Sequence, residues 1–171
     1  MKLSVRRSTL ALGILLVVLL IVGPITVSAE TPSAVPAQVY GARLTGAAEV
    51  PPVETDANGL VVIAVNDDQT ALRFAIVVRG IEDVTVSHIH CGTADVSAPV
   101  GVSLPLTNAR PIGDATLYRG GASAPDPGNS CGWATLDDVE EAIQSGGAYV
   151  NVHSATFPSG EIRGQLVRVG D

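Results

Sequence analysis

Residues Ala71 to Arg79 alternate without a slip. Leu72, Phe74, Ile76 and Val78 fall on one side; Arg73, Ala75, Val77 and Arg79 fall on the other. A period of two sends successive side chains to opposite faces of a pleated strand, so this segment offers a single face to a core. An antiparallel sheet packed on one side satisfies that pattern. The same grammar recurs along the chain. Val39–Leu44, Leu60–Val65, Val84–Cys91, Val100–Leu104, Ile112–Tyr118, Ala148–His153 and Glu161–Val169 are short apolar runs. Turn residues punctuate them, as in Asp56-Ala-Asn-Gly59, Asn66-Asp-Asp-Gln-Thr70 and Gly80-Ile-Glu-Asp83. Pro51 and Pro52 bar a central strand after Gly46.

One segment breaks the period. Thr135–Ser145 opens with Thr135-x-x-Asp138, a capping-box pattern, and stops at Gly146-Gly147. Leu136, Val139 and Ile143 at helical spacing would pack on the sheet, and Asp137 to Glu141 would form a solvated face. Asn108–Gly132, rich in Pro and Gly, reads as a long surface loop enclosing one strand. The expected fold is all-β: a Greek-key β-sandwich or barrel of about eight antiparallel strands, with one short helix near 135–145.

The N-terminus reads as a leader. Lys2, Arg6 and Arg7 precede the apolar run Leu10–Val22, Pro24 ends it, and Val27-Ser28-Ala29 is a small-x-small cleavage site. Residues 1–29 are therefore expected to be a signal peptide, 30–38 a linker and 39–171 one domain, secreted or extracytoplasmic. An uncleaved leader would instead anchor the chain in the membrane. Without the leader, seven arginines and no lysine face seventeen acids, a net charge of −10. With no basic run in the sequence, such a surface is expected to repel nucleic acid and anionic membranes. A partner would be an extracellular protein or surface ligand.

Cys91 and Cys131 are the only cysteines. Export permits a disulfide between them; the alternative is Cys91 as a thiolate ligand beside His90. The three histidines are His88, His90 and His153. Residues i and i+2 on a strand share a face with Cα atoms about 6–7 Å apart, so His88-x-His90 is a preformed chelating pair. If Val84–Cys91 lies beside Ala148–His153, His153 completes a three-imidazole set suited to one copper or zinc ion. Glu49, Asn151, Glu161 and Arg163 are candidates for a supporting carboxylate or hydrogen-bond partner. The plainer reading is a neutral histidine network that orders the structure without an ion. Catalytic constellations are missing: there is no Gly-x-Ser-x-Gly elbow, and the paired acids sit on a helix surface. With 4% aromatic residues there is no sugar-stacking platform either.

Four stretches in order carry a family resemblance. They are Leu44-Thr-Gly-Ala-Ala-Glu-Val-Pro-Pro52; His88-Ile-His-Cys-Gly92 with Ala98-Pro-Val100; Gly147-Ala-Tyr-Val-Asn-Val-His153; and Pro158-Ser-Gly-Glu-Ile-Arg-Gly-Gln-Leu166. Together they resemble the CHRD domain family, the module of chordin found also in exported bacterial proteins. That resemblance implies an exported binding or structural module with no assigned catalysis. A looser similarity links His88, His90 and His153 to three ligands of the copper/zinc superoxide dismutase sandwich. With no further histidine in the chain, the similarity allows a mononuclear site and excludes the dinuclear one.

Overall fold

The computed structural model describes residues 38–170, so the leader and most of the linker lie outside the described residues. Ten strands form antiparallel pairs: β1 (Gln38–Thr45), β2 (Asn58–Val65), β3 (Leu72–Arg79), β4 (Val84–His90), β5 (Val100–Leu104), β6 (Arg110–Ile112), β7 (Ala115–Ala122), β8 (Tyr149–Ser154), β9 (Ile162–Gln165) and β10 (Val167–Arg168). The strand order is β5-β4-β8-β9-β1-β2-β3-β7-β6, with β10 also on β1. The path bends at β9–β1, where Thr45 opposite Arg163 is the one paired position. Two layers result, β5-β4-β8-β9 and β1-β2-β3-β7-β6, and the apolar core lies between them. Tyr40, Leu44, Val61, Ile63, Phe74 and Ile76 come from one layer; Ile89, Val102, Leu104, Val150, Val152 and Ile162 come from the other. The all-β sandwich or barrel expected from the alternation is observed as one curled antiparallel sheet, with ten strands where about eight were expected.

The helix α1 (Leu136–Gln144) starts as its sequence predicts. Thr135 Oγ1 accepts from the Asp138 N–H, and Asp138 accepts in return from the Thr135 N–H. Leu136, Val139 and Ile143 are buried. Among the described residues no helix is long and apolar enough to cross a membrane.

Two expectations need correction. Glu140 is buried rather than solvated, because it accepts from the Tyr40 hydroxyl (2.9 Å) and from Gln69 Nε2 (2.9 Å). Residues 108–132 are also more ordered than a loop. Arg110–Ile112 and Ala115–Ala122 form a hairpin, and β7 pairs with β3 along its full length.

The two outer faces differ. The outer face of β4-β8-β9 is roofed by the connections 46–57, 92–99 and 155–160, which is why all six residues of β8 are buried. The disulfide Cys91–Cys131 ties the 92–99 connection to the segment before the helix, so Cys91 offers no thiolate. The outer face of β1-β2-β3-β7 carries exposed side chains, Leu60 and Val62 among them.

Candidate metal centre

Register builds the site. On the roofed face His88 lies opposite Asn151, which lies opposite Arg163; His90 lies opposite Tyr149, which lies opposite Gln165. His153 sits two residues beyond Asn151 on the same face and pairs with Val86. The strand adjacency on which the three-imidazole set depended is therefore present. One ring nitrogen from each of His88, His90 and His153 lies within 4.8 Å of the other two.

The hydrogen bonds define tautomers. His90 Nδ1 donates to the Ala98 carbonyl (2.7 Å), and His153 Nδ1 donates to the Pro158 carbonyl (2.9 Å). A carbonyl can only accept, so both Nδ1 atoms carry the proton and both Nε2 atoms present a lone pair. Both Nε2 atoms lie 3.0 Å from Asn151 Oδ1, itself an acceptor, and His88 Nδ1 lies 3.1 Å from His153 Nε2. Burial favours the neutral imidazoles. It pushes His88 down to about 4, helped by the neighbouring His153 and His90, with Asp126 pulling the other way. It also lowers His90 and His153. His88 Nδ1–H can donate to His153 Nε2, whereas the Nε2 lone pairs of His90 and His153 that face Asn151 Oδ1 require a donor or a cation.

Glu49, on the 46–57 connection, lies across Gly160 from Asn151. It is 8% exposed, and its Oε1 has no hydrogen-bond partner. A Cβ on Gly160 would lie 2.6 Å from Glu49 Oε1 and 2.8 Å from Asn151 Nδ2, so the glycine leaves space between them. Burial pushes the Glu49 carboxyl up to about 7, while the Arg163 guanidinium pulls it down.

The other candidates play supporting parts. Glu161 accepts from Ser154 Oγ and from Thr55 Oγ1, holding the connection that carries Glu49. Arg163 donates to the Val96 and Thr93 carbonyls and lies over the Tyr149 ring, and Tyr149 stacks on His90. Neither Glu161 nor Arg163 touches a histidine nitrogen. Sequence reasoning missed the orienting carbonyls of Ala98 and Pro158, which carry no side-chain signal. It also missed Tyr149, which extending the Asn151–His153 alternation by one step would have found.

The shifts oppose one another. A histidine with a lowered folded pKa leaves the unfolded chain binding more protons below its ordinary value of 6.5. The His88 contribution is thus present above 6.5 and lost as the pH falls toward 4. Glu49, raised from 4.5, contributes below that value and loses the contribution as the pH rises toward 7. With chelator present, the urea midpoint of Glu49→Gln should fall more steeply between pH 7 and pH 4 than that of the wild type. A shallower slope in the variant would contradict the two directions.

An antiparallel two-layer all-β domain with a buried polar cluster under one roofed outer face is the class that fold and site define. Residues 40–166 match the CHRD domain, and the chain belongs to that family. No curated protein and no solved structure matches the chain.

Proposed function

We propose that this chain is an exported CHRD-type binding module that holds one copper or zinc ion through His88, His90 and His153. The observation that carries the reading is the convergence of imidazole lone pairs. With two Nδ1–H groups committed to backbone carbonyls, His90 and His153 present Nε2 toward the nitrogen of His88 and the Asn151 oxygen. Acceptors gathered in a buried place repel one another unless a cation or a proton sits among them. Imidazole nitrogen suits copper and zinc. Three such ligands around an ion at about 2.0–2.1 Å require nitrogens about 3.4 Å apart, so the longest edge of the triangle must contract on loading. Asn151, whose Oδ1 lies 3.0 Å from the Nε2 atoms of His90 and His153, then borders the ion. Export is supported by the leader-like N-terminus and by the disulfide.

Elemental analysis of protein purified from residue 30 onward tests this. The expected result is about one copper or zinc per chain after loading and desalting, with retention lost in His153→Ala and His88→Ala. Loaded wild type should also melt at a higher temperature than chelated wild type, by linkage. Retention well below stoichiometric, with no effect of chelator on melting, would instead favour a metal-free network. In that network a reversed Asn151 amide donates to both Nε2 atoms.

A further inference from the structure

The outer face of β1-β2-β3-β7-β6 has a composition at odds with the rest of the chain. Register places Arg43, Leu60, Val77, Leu117 and Arg110 in one row across five strands. The next row holds Val62, Ala75 and Arg119. Arg73 follows beyond Ala64 on one side, and Arg79 beyond Asn58 on the other. Apolar side chains occupy the centre and arginines the rim. Leu60 and Val62 are 59% and 47% exposed, and a shallow groove runs between Arg73 and Arg119 over Val62, Ala64 and Ala75. Gly121 also lines this groove, at a place where the two backbones approach closely: a Cβ there would meet the Leu72 carbonyl at 2.6 Å.

Five of the seven arginines outside the leader therefore share one face of a chain with seventeen acids. Among the described residues no carboxylate occupies a strand position on that face. Among the described residues the one ion pair is Arg79 with Asp114, at the corner of the face. The charge on this face is thus opposite in sign to the net charge of the chain.

We infer that this face docks an acidic protein surface that presents apolar anchors. An apolar centre inside a polar rim is the anatomy of a protein interface, with arginine among the residues enriched there. A rim of one sign calls for the opposite sign on the partner. A second copy meeting through the same face would set arginine against arginine. A bare polyanion would satisfy the rim and leave Leu60, Val62, Val77 and Leu117 in water. Arg43 and Arg110 lie four strand spacings apart, about 19 Å. The patch is thus small, in the range of a transient complex.

The probe is a synthetic peptide alternating Glu with Leu, titrated into isotope-labelled protein purified from residue 30 onward and read by amide chemical shifts. Shifts confined to β1, β2, β3 and β7 are expected. Affinity should fall at least tenfold in the Arg73→Glu/Arg119→Glu double variant, and also in Leu60→Ser/Val62→Ser. Both variants should keep the wild-type pattern elsewhere, because the replaced side chains are exposed. Four results would each overturn the inference: no binding at millimolar peptide, shifts on another face, equal affinity for poly-glutamate of matched charge, or binding to phosphatidylglycerol vesicles but not to the peptide. The second pair would respectively indicate a polyanion site and a membrane site.

Discussion

Replacing Arg163 with alanine should lower the free energy of unfolding by about 3–5 kcal/mol, the sum of two charge-assisted hydrogen bonds and a desolvated cation–π contact less relaxation. The side chain is 1% exposed. Nη1 donates to the Val96 carbonyl at 2.9 Å and Nη2 to the Thr93 carbonyl at 2.7 Å, while Cζ lies 3.4 Å from the Tyr149 ring centroid. The guanidinium therefore holds down the 92–99 connection by its backbone. Tyr149 helps by accepting from the Ala98 N–H through its hydroxyl. Ala98 is also the residue whose carbonyl orients His90. Loss of the fork should free that carbonyl and let the His90 ring turn, so the variant should lose affinity for any ion held by the histidines along with its stability. Arg163→Lys keeps the charge without the planar fork and should fall between alanine and wild type. Urea unfolding followed by Trp133 fluorescence measures the effect. A loss under about 1 kcal/mol would mean that the connection is held by other contacts.

How far the sequence disclosed this depended on whether a feature is local. The alternation of β3 and the capping box of α1 each lie within a few residues, and each has the role its pattern implies; the His88-x-His90 pair is as local, and its two side chains share one face. The run Ile112–Tyr118 marked β7, but its end beyond Tyr118 was hidden because Gly120 and Gly121 resemble loop residues. Packing requires them: a Cβ on Gly120 would lie 2.6 Å from the Phe74 ring, and one on Gly121 would strike the Leu72 carbonyl. Glu140 sits in an acidic run whose neighbours face water, and its burial depends on Tyr40, a hundred residues away. The arginine face is the extreme case. Its members lie at 43, 73, 79, 110 and 119, so no window of the sequence contains a basic run. Only the register of five strands brings them together. The histidine cluster was legible in part, because its donor set is explicit while its orienting carbonyls are not.

Removing the disulfide should have a loss of similar size with a different signature. The Cys91→Ser/Cys131→Ser variant should be destabilised by about 4 kcal/mol, the chain-entropy value for a bridge between residues 40 apart. That stabilisation acts chiefly on the unfolded chain, so native geometry should survive its loss. The structure provides independent ties on both sides of the bridge. On one side Arg163 and Tyr149 hold the 92–99 connection. On the other, Asp126 accepts from the Ser103 N–H (3.0 Å) and hydroxyl (2.7 Å), and its own N–H donates to the Gly101 carbonyl (2.9 Å). The Trp133 ring also lies so close to Gly101 that a Cβ there would clash with it. The double serine variant should therefore unfold at lower urea with an unchanged Trp133 environment in the folded state and unchanged His90 ring signals. Arg163→Ala should instead disturb the His90 signals at a comparable loss of stability. If the serine variant perturbs His90 as strongly as Arg163→Ala does, the disulfide is positioning the histidine directly, and its contribution is not confined to the unfolded chain.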